Sequence, residues 1–84
     1  MKKQDEKYNG WHNRETWLVV LWLENEEYNY NLMKKYYKYM LKGKAKYLKQ
    51  FIKYNFIIKD RLNWSKVSTK EIKQMLKENF EQNI

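Results

Sequence analysis

Thr16-Trp17-Leu18-Val19-Val20-Leu21-Trp22-Leu23, TWLVVLWL, contains the longest apolar run in a lysine-loaded chain, the seven residues from Trp17 to Leu23. Its conformation decides the fold. A short continuous apolar stretch fits a buried strand as well as a buried helix, and β-branched and aromatic content leans toward the strand. No second strand-like run is present for it to pair with, however, and an isolated strand leaves its backbone groups unsatisfied. Helix is therefore the expectation. At 100° per residue, Trp17, Leu21 and Tyr28 line one side, Leu18 and Trp22 a neighbouring side, and Val19, Val20 and Leu23 the opposite one. A helix apolar all round must be covered on every side, so this one is expected at the centre of a bundle or partly beneath another chain.

Outward from that run, Asn9-Gly10 supplies a turn, and Asn13 is placed to cap the N–H of Glu15 or Thr16. A second helix is expected over about 27–42, with Tyr30, Met33, Tyr36, Tyr37, Met40 and Leu41 facing inward. Lys34, Lys35, Lys38 and Lys42 then face outward. Gly43 is positioned to end it in the left-handed conformation. A third helix, about Ala45 to Ile58, turns Leu48, Phe51, Ile52 and Phe56 inward and Lys46, Lys49 and Lys53 outward, and so short a connection predicts an antiparallel pair. In the last segment Ser68 and Glu71 form a capping-box pattern and Val67 with Ile72 a hydrophobic staple, ahead of Met75, Leu76 and Phe80. The expected object is all-α: one domain over 1–84, a small bundle of about four helices, with residues 1–8 frayed.

With 84 residues the chain supports one thin core, and its four Trp and eight Tyr let few side chains cover much area. The absence of cysteine excludes disulfides and thiolate metal sites. The N-terminus is charged rather than apolar, and seven consecutive apolar residues fall well short of the roughly 18–20 that span a bilayer. A cytoplasmic protein with no membrane partner is expected.

Charge is unevenly placed. Residues 5–27 carry Asp5, Glu6, Glu15, Glu24, Glu26 and Glu27 against Lys7 and Arg14, a net −4, whereas 34–61 carry nine lysines and Arg61 against Asp60, a net +9. Such a field favours an anionic partner, either a phosphate backbone or an acidic protein.

Little in the chain points to chemistry. His12 is the sole histidine, and with Glu15 it makes two ligands rather than a metal site. Glu24 and Glu27 share a helix side but read as a solvated acidic end, and isolated Gly10 and Gly43 form no phosphate loop. No enzyme, cofactor or metal is expected.

Two binding readings remain. Lys34-Lys35-Tyr36-Tyr37-Lys38-Tyr39 interleaves cations with rings that can stack on bases, although the helical wheel turns Tyr36 and Tyr37 inward and leaves Tyr39 beside the lysines. Sixteen Lys against two Arg suit phosphate contact more than bidentate base reading, so direct contact with DNA or RNA would be salt-sensitive and weakly specific. The same face can instead dock on an acidic host protein or ribonucleoprotein complex. Trp11, Trp17 and Trp22 would then serve as interface anchors or, more simply, as core. The residues expected to bind are Lys34, Lys35, Lys38, Tyr39, Lys42, Lys46, Lys49 and Lys53, and a homo-oligomer is compatible with the sequence.

Asn9-Gly10-Trp11, Asn13, Glu15-Thr16-Trp17, Val19 and Leu21-Trp22 resemble the N-G-W-x-N-x-E-T-W-x-V-x-L-W pattern of a family of small uncharacterised proteins encoded by phages, plasmids and other mobile elements. Val67 to Ile72 is similar to that family's closing helix. The resemblance implies a mobile-element protein acting in a bacterial host cytoplasm. The function expected is non-catalytic inhibition of a host nucleic-acid-handling defence complex, of anti-CRISPR or anti-restriction type, with a direct DNA- or RNA-binding accessory protein as the alternative.

Overall fold

A computed structural model of the chain describes residues 10–81. The expected fraying of 1–8 lies outside them. Four α-helices follow one another: α1 (Arg14–Asn25), α2 (Glu27–Lys42), α3 (Ala45–Asn55) and α4 (Thr69–Phe80), with a 3₁₀ turn at Trp64–Lys66. The described residues form no strand, so the fold is a small all-α bundle.

The ambiguous run is helical. Asn13 is extended (φ −157°, ψ 178°) and its side chain accepts the Thr16 N–H at 2.9 Å. Thr16, Leu18, Val19, Val20 and Leu23 are buried, yet Leu21 is 38% exposed and Trp17 and Trp22 are only half-buried. The helix is thus not covered on every side. It packs on α2, α4 and the 3₁₀ turn, which shelter the Val19–Val20–Leu23 side, while α3 stands away from it. The central place belongs to α4, which touches all three other helices through Ile72, Met75 and Leu76.

Glu26 alone separates α1 from α2. Its backbone N–H reaches the Trp22 carbonyl at 3.2 Å and its carboxylate accepts the Tyr28 N–H at 2.9 Å, so one acidic residue closes one helix and opens the next. Along α2, Met33 and Met40 are buried and Tyr30, Tyr37 and Leu41 half-buried, but Tyr36 is 37% exposed. Two rings one residue apart diverge by about 100°. Tyr37 turns toward Phe80 of α4 (ring centroids 5.1 Å apart), whereas Tyr36 meets Phe51 of α3 at 5.8 Å.

Gly43 does not take the left-handed conformation expected of it. Its φ of −72° and ψ of 145° are extended, as are the φ of −70° and ψ of 157° of Lys44, so two extended residues rather than one left-handed residue make the turn into α3. A Cβ placed there would meet nothing nearer than the Met40 carbonyl oxygen at 3.6 Å. Gly43→Ala is accordingly expected to leave stability unchanged or raise it by up to about 1 kcal/mol, since alanine restricts the unfolded chain; a lowered denaturation midpoint would contradict this geometry. As anticipated, α3 runs back toward the start of α2, since Asn29 bonds Ile57 and Tyr36 and Tyr39 both meet Phe51, but side chains rather than backbones make the contact. α2 and α3 do not lie close along their lengths, and α3 packs chiefly on α4.

α3 ends at Asn55, three residues before the expected Ile58. Fully buried Asn29 of α2 is the cause. Its side-chain oxygen accepts the Ile57 N–H at 2.8 Å and its amide donates to the Ile57 carbonyl at 2.6 Å and to the Trp22 carbonyl at 3.1 Å. A longer helix would spend the Ile57 N–H on Lys53 instead. The Trp22 indole N–H adds a second tie to the same loop, donating to Asp60 at 2.7 Å.

Candidate functional site

The two stretches that carry the sequence resemblance, far apart in the chain, meet at the starts of α1 and α4. Asn13 caps α1 and donates to the Lys66 carbonyl at 2.7 Å. Ser68 caps α4 by accepting the Glu71 N–H at 3.3 Å. The reciprocal half of the capping box is rerouted: the Ser68 N–H goes to the buried Thr16 hydroxyl at 2.9 Å, and the Glu71 carboxylate accepts the His12 backbone N–H at 2.8 Å. These residues, with His12 itself exposed, form a fastening between helix ends. Thr16→Val, which keeps the shape and removes the acceptor, is expected to cost about 1–2 kcal/mol in a denaturant titration. Thr16→Ser should recover most of it; a loss in Thr16→Ser with none in Thr16→Val would show that the methyl rather than the hydroxyl matters.

The candidate binding surface lies elsewhere, on α2 and α3. Lys34, Lys35, Lys38, Tyr39 and Lys42 on α2 are exposed, as are Lys46 and Lys53 on α3, while Lys49 is half-buried. Lysines four apart on α2 (Lys34, Lys38, Lys42) share a line, as do Lys46, Lys49 and Lys53 on α3. Lys35, Lys46 and Lys53 each hold Nζ 5.5–5.9 Å from the ring centre of the following tyrosine, so cation and ring occupy one spot of surface.

Between the two helices runs a gap that rings only partly fill. One hollow of about 420 Å³ is lined by Tyr28, Leu32, Tyr36, Tyr39, Phe51 and Asn55. A second of about 320 Å³, at the α2–α3 turn, is lined by Tyr39, Met40, Lys42, Gly43, Lys44, Tyr47, Leu48 and Phe51. Tyr39 and Phe51, whose ring centroids are 5.3 Å apart, belong to both. Of the residues expected from sequence, Tyr39 and Lys42 are brought together here; Lys34, Lys35, Lys38, Lys46, Lys49 and Lys53 lie outside the two hollows. Tyr28, Tyr36, Lys44 and Tyr47 are additions. Helical periodicity places a residue on a face of its own helix, but the space between two helices depends on how far apart they stand, and no local signal carries that.

Among the described residues no group of three or more His, Asp or Glu side chains could hold a metal ion, and no helix is long and apolar enough to cross a membrane.

Fold and surface together define a small all-α bundle bearing a basic, tyrosine-lined face. Residues 4–83 match the model of one protein family, described as "Family of unknown function (DUF7249)", and the chain belongs to that family. No curated protein and no solved structure matches the chain.

Proposed function

We propose that this chain is a non-catalytic binding protein of a phage or plasmid, inhibiting a host nucleic-acid-handling defence complex such as a CRISPR effector or a restriction enzyme. It would do so by laying the α2–α3 face over an anionic surface of that complex. The observation that carries this reading is the exposure of Lys34, Lys35, Lys38, Lys42, Lys46 and Lys53 on two consecutive helices, in the segment that holds the chain's positive charge. A mobile-element origin is supported by the resemblance of the Asn9 to Trp22 stretch. The second reading, direct and weakly specific binding of DNA or RNA, is favoured by the exposure of Tyr36, Tyr39 and Tyr47 beside those lysines.

Capture from host lysate by the wild-type chain and by a variant with Lys35, Lys38 and Lys42 changed to Glu tests the first reading. A nucleic-acid-handling complex should be recovered at least tenfold less by the variant. Unchanged recovery would remove the basic helix from the mechanism. Titration of labelled duplex and single-stranded oligonucleotides at low and physiological salt separates the readings, because phosphate contacts weaken steeply as salt rises. Tight binding with no other protein present favours the second.

A further inference from the structure

The hollow at the α2–α3 turn combines two chemistries that rarely serve the same ligand. Its floor is apolar, formed by Met40, Leu48 and Phe51, while Lys42 and Lys44 flank Gly43 on its lining. A bare phosphate has no use for the floor, and an apolar ligand has none for the cations. Tyr39 and Tyr47 are 62% and 58% exposed, so much of each ring is open to a planar group. A volume of about 320 Å³ sits at the lower bound for small-ligand pockets and suits one planar ring system with its substituent rather than a helix or a duplex.

We propose that this hollow is a single-nucleotide site: an unstacked base lies against Tyr39 and Tyr47 over the apolar floor, and its phosphate rests on Lys42 and Lys44. The inference narrows the nucleic-acid reading above to one pocket and rests on it.

Local electrostatics are arranged for an anion. The C-terminal end of α2 would by itself repel one, through the partial negative charge of its last carbonyls. Lys42 lies in that last turn, and the Lys73 ammonium of α4 hydrogen-bonds the Gly43 carbonyl, so cations offset the repulsion. α3 begins beside the pocket at Ala45, and no side chain caps its first N–H groups. Other occupants match less well. An acidic peptide supplies carboxylates to the lysines but no planar group for the two tyrosines, and a second copy of this chain, carrying +8, is repelled by the first.

The test uses the full chain at low salt with four probes: fluorescent oligothymidylate, an abasic strand of the same length and charge, thymidine monophosphate, and a polyglutamate peptide of matched charge. Oligothymidylate should bind at least fivefold more tightly than the abasic strand. Tyr39→Ala and Tyr47→Ala should each weaken it by roughly 5- to 140-fold, the range for loss of one base–aromatic stack. Tyr39→Leu, which keeps the bulk and loses the ring, should behave like Tyr39→Ala, and Tyr54→Ala, 73% exposed and outside the pocket, should bind as wild type. Chemical-shift changes confined to Tyr39, Tyr47 and Phe51 on adding the mononucleotide identify free nucleotides as ligands; the same changes with the strand alone identify an unpaired base as the source, and either supports the site. Tyrosine variants that bind oligothymidylate as wild type, while Lys42→Glu and Lys44→Glu weaken it, would leave the nucleic-acid reading standing and overturn the pocket. Failure of every strand to bind overturns both. Preference for polyglutamate over oligothymidylate overturns the pocket in favour of an acidic protein partner.

Discussion

Asn29→Ala is expected to destabilise the fold by about 2–3 kcal/mol, the cost of leaving backbone groups at the inner edge of a loop without partners. Asn29 is fully buried, and its amide takes both the N–H and the carbonyl of Ile57. The Trp22 carbonyl also loses a donor but keeps the Glu26 N–H, so the loss concentrates on Ile57. In a domain this small the effect corresponds to a fall in thermal midpoint of about 10–20 °C. Amide exchange gives the residue-level check: protection of the Ile57 N–H should vanish in the variant. An unchanged midpoint would mean that the loop after α3 is held by its other contacts, such as the bond between the Trp22 indole and Asp60.

The second large effect separates two leucines two residues apart. Leu23 is fully buried in the cluster formed with Met33, Ile72 and Leu76, and Leu23→Ala should cost about 3 kcal/mol through lost contact and the cavity left behind. Leu21, 38% exposed on the uncovered side of α1, should change stability by no more than about 0.5 kcal/mol when replaced by alanine. Chemical denaturation of both variants decides it. A comparable loss at Leu21 would show that this side of α1 is covered in solution, as by association of two chains.

The contrast between these residues marks how far the sequence could be read. Each helix begins where periodicity and capping chemistry put it, although α3 stops three residues early, and Asn13 and Ser68 make the bonds their side chains suggest. Both signals are local, set by residues three or four apart. What escapes them depends on neighbours distant in the chain. The TWLVVLWL run says that its residues are apolar, not which are covered; that is decided by α4 taking the central place. Asn29 carries no local mark of a core residue, and its burial follows from Ile57, 28 residues later. Gly43 fits the general preference for a glycine after a helix, yet the rapid start of α3 left no room for a left-handed turn. The binding face divides the same way. Exposed lysines were legible residue by residue, whereas the tyrosine-lined gap was not, because it exists only through the separation of α2 from α3.

The fastening between the starts of α1 and α4 has a consequence for how the chain is made. The Ser68 N–H that satisfies Thr16 is 52 residues further along, and the Glu71 carboxylate that holds His12 is 59. At a ribosomal rate of about 5–20 residues per second, α1 waits roughly 3–10 s for its counterpart to be synthesised. For that interval α2 alone is at hand to cover its apolar side, and a nascent chain stalled before Val67 would present the part that α4 and the 3₁₀ turn shelter to whatever chaperone reaches it first.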